Sequence, residues 1–105
     1  MTTNEPLLTR ICVENVANMT FEVNTAASHS VLSLDMYYRM QNDLAIRGRK
    51  PLIYQRQQMD IKLADGSTSS KHVGSVQMHI AKSVDYKEPK LVTFFVVEGG
   101  DNLLG

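Results

Sequence analysis

The chain has 105 residues, 43% of them hydrophobic, with 11 basic and 11 acidic residues that cancel to a net charge of zero. That length gives one small domain, residues 1–105, whose folding would bury about two thirds of the surface the unfolded chain exposes. Dispersed, balanced charge excludes a phosphate-tracking surface, and no apolar run is long enough to span a bilayer. Nucleic acid and membrane are therefore not expected partners. The single cysteine, Cys12, excludes an internal disulfide and fits a reducing, intracellular and cytoplasmic setting. No basic, apolar leader opens the sequence, and residues 1–6 are expected to be a disordered or extended N-terminus.

Strands dominate the chain. Leu8, Ile11 and Val13 alternate with Thr9, Arg10, Cys12 and Glu14, and residues 15–18 supply a turn before residues 19–23 resume the β pattern. This is a hairpin that delivers Asn24 to its end, with Cys12 read as a half-buried strand residue. Residues 30–33 form a short strand. Ser33 is placed to cap a helix in which Met36, Tyr37, Met40 and Leu44 recur at three- and four-residue spacing, a core-packing stripe. Residues 46–58 read as a solvated connection, with Arg47, Gly48, Arg49, Lys50 and Pro51 in a basic, turn-prone cluster and a Gln-Arg-Gln-Gln run behind it; a patch for an acidic partner is the sharper alternative.

Residues 59–64 and 71–80 are two alternating arms around a tip of Asp65, Gly66, Ser67, Thr68, Ser69 and Ser70, which reads as a hairpin with a mobile end. A polar turn over residues 82–89 leads into Leu91, Val92, Thr93, Phe94, Phe95, Val96 and Val97. Nearly continuous apolarity there predicts a central strand covered on both faces. The chain ends on Leu103, Leu104 and Gly105.

Phe21-Glu22-Val23-Asn24-Thr25-Ala26-Ala27-Ser28-His29-Ser30-Val31-Leu32-Ser33 resembles the active-site loop of the retropepsins, the aspartic proteases of retroviruses and LTR retrotransposons. The family pattern there is apolar strand, Asp-Thr/Ser-Gly-Ala, polar pair, apolar pair. Leu63-Ala64-Asp65-Gly66-Ser67 followed by Gly74 looks like the family's flap, and Leu103-Leu104-Gly105 resembles the strand that passes behind the active-site loop. The resemblance implies a mainly β, closed or partly open acid-protease barrel with a flap hairpin and one short helix. It also implies a homodimer, and a peptide-binding cleft lined by Ala27, Ser28, Asp65, Gly66, Ser67, Thr68 and Ser69. Thr25 would bond across the dimer axis. No cofactor and no metal are expected.

Two departures fall on the chemistry. Asn24 stands where the family has its catalytic aspartate, and Ala26 stands where it has glycine. Retropepsins work because two facing carboxylates cannot both ionise, so one acts as base and the other as acid toward water. An amide has neither the charge nor the exchangeable proton, so Asn24, Thr25 and Ala26 are expected to form a non-functional catalytic triplet. Ala26 adds a methyl group where backbone and substrate approach closely. His29 reads as a surface or loop-bonding residue, and His72 and His79 show no metal spacing. The family continues past Leu-Leu-Gly with a helix and a terminal strand. Ending at Gly105 is thus expected to remove part of the dimer sheet and leave an edge for a partner protein. Two functions remain open on the sequence, a pseudoprotease serving as a dimerisation or protein- and peptide-binding module and an active-site mutant of an endopeptidase that processes a polyprotein, while the ordered set of features speaks against a third, a small β-rich domain of unrelated lineage.

Overall fold

The computed structural model describes residues 7–23, 29–62, 64–99 and 102–105. Strands β1 (Leu7–Val13), β2 (Ala17–Val23) and β3 (Ser30–Ser33) precede helix α1 (Leu34–Ile46). Strands β4 (Gln55–Lys62), β5 (Thr68–Ala81), β6 (Lys90–Val97) and β7 (Leu103–Leu104) follow it. The fold is mainly β. All the strands join one sheet in the order β1-β2-β7-β3-β6-β5-β4, and β1 also pairs with β5 at Cys12↔Ala81 and Val13↔Ile80, so the sheet bends into a ring. Among the described residues no helix is long and apolar enough to cross a membrane.

Alternation on the strands builds the core. Met19 and Phe21 on β2, Val76 and Met78 on β5, and Phe94 and Val96 on β6 point inward, while Thr20, Gln77 and Thr93 stay exposed. Phe21 and Phe94 meet at the centre with ring centroids 5.4 Å apart. Helix α1 covers one side of this core. Ser33 caps it, its hydroxyl accepting from Met36 N–H at 3.2 Å, and Met40 and Leu44 are its fully buried residues. Burying side chains of that size stabilises the fold by about 1.5–3 kcal/mol each.

Four sequence expectations shift. Ala17 and Asn18 belong to β2, so the first turn is confined to residues 14–16; Glu14 and Asn15 take φ of 52° and 54°, and Val16 N–H closes the turn on Val13 O at 3.0 Å. Cys12 is fully rather than half buried, and it lies where β1 closes on β5, opposite Ala81. The Gln-Arg-Gln-Gln run is strand, not connection: pairing with β5 from Gln55↔Ser75 onward overrides its poor β propensity. Finally, β6 is central in the sheet but only Phe94 and Val96 are buried on it, with Leu91 54% exposed, so its outward face is only partly covered.

The connection before β4 is fixed by α1. Leu52 N–H donates to Gln41 Oε1 at 2.8 Å and Gln41 Nε2 donates to Leu52 O at 3.0 Å, which holds Leu52 in the core although its neighbours Pro51 and Ile53 are exposed. Tyr54 then lies across Gly74, whose missing side chain leaves room for the ring, and packs on Tyr37 at 5.4 Å between centroids.

Candidate functional site

Asn24, Thr25, Ala26, Ala27 and Ser28 lie outside the described residues; the strands that enter and leave them do not. β2 ends at Val23 and β3 begins at Ser30, and β7 lies between the two. It runs parallel to β2 (Glu22↔Leu103, Val23↔Leu104) and antiparallel to β3 (Val31↔Leu103). A two-residue strand cannot hold two neighbours by ladder bonds alone, and local bonds reinforce it. Glu22 N–H donates to Asn102 O at 2.8 Å, Ser33 N–H to the Asn102 side-chain oxygen at 2.9 Å, and Gly105 N–H to Ser30 Oγ at 3.1 Å. The last of these explains a buried serine, since Ser30 is 7% exposed and its hydroxyl has a partner. Segment 102–105 thus ties together both strands that carry the loop.

His29, the first described residue after the loop, is exposed and sets its imidazole edge-on to Phe95, 4.9 Å between ring centroids at 81°. Its surroundings are those of a surface residue packed on an outward phenylalanine. Among the described residues no carboxylate is bonded to it.

The second half of the predicted cleft is the β4–β5 hairpin. Its turn is shorter than the sequence implies, because Thr68 and Ser69 already belong to β5, paired with Lys62 and Ile61, and Ser70 pairs with Asp60. Asp65 shapes the turn: its Oδ1 accepts from Ser67 N–H at 2.9 Å and from the Ser67 hydroxyl, and Gly66 supplies the positive φ of 86° between them. The bond from the Ser67 hydroxyl, and then that from its backbone N–H, lower the Asp65 carboxyl below the ordinary carboxylate value. Asp65, Gly66, Ser67 and Thr68 are therefore gathered at one hairpin end, all of them exposed.

A polar cluster that the sequence reading missed sits where the ring closes. His79 Nδ1 and His79 N–H both lie 2.8 Å from Glu14 Oε2, Glu14 N–H donates to His79 O at 2.8 Å, and Arg49 Nη2 donates to Glu14 O at 3.0 Å. Asn15 extends it by accepting Asp85 N–H at 2.7 Å and donating to Asp85 Oδ1 at 3.1 Å. Concavities of about 330 and 500 Å³ share Glu14 and His79 in their walls, and of the described cleft residues Asp65, Gly66, Ser67 and Thr68 none lines either one. The bonds of this cluster join the β1–β2 turn to β5 and to the 82–89 loop, which is a structural latch. Only a 65-residue separation between Glu14 and His79 creates it, so no local pattern announces it. Among the described residues no group of three or more His, Cys, Asp or Glu side chains is arranged to hold a metal ion.

No protein-family model matches this chain, and no characterised protein or solved structure matches it either.

Proposed function

We propose that the chain is a retropepsin-like domain that has lost catalysis and serves as a pseudoprotease module for dimerisation or for binding a protein or extended peptide. The observation that carries this reading is β7 seated between β2 and β3, the strands that precede and follow Asn24, Thr25 and Ala26 in the chain. A strand threaded between the two arms of a loop fixes that loop's ends to a rigid sheet, which a site built from two facing loops requires. The β4–β5 hairpin, with Asp65, Gly66 and Ser67 at its turn, supplies the second element expected to fold over an extended peptide.

Chemistry sets the activity. Two facing Asn24 amides hold no shared proton and no charge to polarise water, so the domain cleaves nothing. They also lack the mutual repulsion of two carboxylates, so loss of catalysis favours assembly. Thr25 keeps the hydroxyl that would cross the dimer axis. A homodimer in a reducing, intracellular and cytoplasmic setting, with no metal, cofactor, nucleic acid or membrane ligand, completes the proposal. The alternative, an active-site mutant of a polyprotein-processing endopeptidase, needs only the change at Asn24. Ala26 is a second departure that silencing does not require, and it favours the pseudoprotease.

The test is restoration. Asn24→Asp with Ala26→Gly is assayed for cleavage of an extended peptide library, alongside sedimentation equilibrium of the unchanged chain over a wide concentration range. Cleavage by the double variant together with a concentration-dependent dimer supports the fold and site reading. A double variant that stays dimeric and folded yet cleaves no peptide overturns the assignment of loop 24–28.

A further inference from the structure

Among the described residues β4 pairs with β5 alone, from Gln55↔Ser75 to Lys62↔Thr68, so its other side is a row of backbone N–H and C=O groups without a neighbouring strand. Edges of this kind are usually shortened, bulged, interrupted by proline or lined with charged side chains. β4 has eight residues, Gln55-Arg56-Gln57-Gln58-Met59-Asp60-Ile61-Lys62, and no proline. At the other end of the sheet β1 closes on β5 only at Cys12 and Val13. Arg56, Gln58 and Asp60 are all exposed, and two-residue spacing puts them on one face of the strand.

We propose that β4 is a self-association edge, on which two copies of this chain pair their β4 strands antiparallel about a two-fold axis at Gln58. That axis sets residues two positions to either side opposite one another, so Arg56 of each copy faces Asp60 of the other and the two Gln58 side chains face each other. Opposite charges directly across an antiparallel ladder attract, and like charges repel. An axis at Arg56 or at Asp60 would set like charges face to face, so the charge pattern disfavours those two registers and the axis at Gln58 alone sets both Arg56–Asp60 pairs directly opposite. The contact is isologous: one patch meets its own copy, as closed two-fold dimers require. The Gln58 amides can donate and accept across the axis whichever way they turn. An unrelated peptide could use the same backbone groups, but the placement of Arg56 and Asp60 on either side of Gln58 is complementary to itself. The inference does not rest on the reading of loop 24–28, which would form a different interface.

The experiment uses the full chain. Gln58→Cys is oxidised with glutathione disulfide, with Thr20→Cys, exposed on β2, as the collision control; Cys12 is buried and stays out of the reaction. Covalent dimer is expected to form at least about tenfold faster from Gln58→Cys than from Thr20→Cys, because directly paired residues hold their Cβ atoms within disulfide reach. Separately, Arg56→Asp and Asp60→Arg are each expected to weaken self-association at this edge about tenfold or more, and an equimolar mixture of the two to associate again, since each copy then carries the charge the other lacks. The mixing is followed by sedimentation velocity, with circular dichroism to show that each variant is folded. Equal oxidation rates for Gln58→Cys and Thr20→Cys, or a mixture no more associated than its separate components, would overturn the proposal. Persistence of the Gln58→Cys dimer in a Thr25→Ala background separates this edge from any interface made by loop 24–28.

Discussion

Replacing Asn102 by alanine tests whether the last strand is tied to the site region as described. The side-chain oxygen of Asn102 accepts the Ser33 N–H at 2.9 Å in a part-buried position, and Ser33 is also the residue whose hydroxyl caps α1. Asn102→Ala leaves that N–H without an acceptor while keeping the main-chain bond from Glu22 N–H to Asn102 O. A donor stranded in this way costs about 1–3 kcal/mol, and partial burial places this one in the lower half of that range. For a domain of this size that is a fall in Tm of roughly 5–15 °C. Urea unfolding gives the global value, and hydrogen exchange at Ser33 gives the local one, with the amide expected to exchange faster in the variant. Asn102→Asp retains the acceptor oxygen and places negative charge near the N-terminus of α1, so it is expected to keep most of the stability. An alanine variant as stable as the parent, or an aspartate variant as damaged as the alanine one, would refute the stitch.

Other expectations are narrower. Gln41→Leu strands both the N–H and the C=O of Leu52 and is expected to destabilise the domain by about 2–4 kcal/mol in urea unfolding, against well under half of that for an exposed control such as Asn42→Leu. Gly74→Ala drives a methyl group into the Tyr54 ring and is expected to cost about 1–3 kcal/mol. Its cost should shrink in a Tyr54→Ala background, a coupling that a double-mutant cycle measures. Leu44→Ala removes a fully buried side chain from the α1 face and should cost about 2–5 kcal/mol. The Asp65 carboxyl, held below its ordinary value by Ser67, favours the folded hairpin above the unfolded pKa; that contribution is lost as pH falls through the lower folded pKa. A carboxylate titration by NMR should find Asp65 protonating at lower pH than in Ser67→Ala, and equal titration in the two would contradict the Asp65–Ser67 bonds.

Patterns that are local in the chain are legible without any structure. Two-residue alternation places β1, β2 and β5, three- and four-residue spacing places α1, and Ser33 stands where a cap belongs, because backbone geometry alone sets those periods. The gathering of Asp65, Gly66 and Ser67 in a turn is legible for the same reason, since an aspartate bonding two residues onward needs only its own segment. Only the tertiary structure decides which strands become neighbours. The Gln-rich start of β4 becomes strand because β5 is there to pair with it, and Cys12 is sealed where β1 meets β5. Glu14 finds His79 and Asn102 finds Ser33 across 65 and 69 residues, and Gln41 clasps Leu52 from the helix. Each of those bonds depends on the sheet order. That order is fixed by how a whole set of apolar faces closes around Phe21 and Phe94, and no short window of sequence contains it.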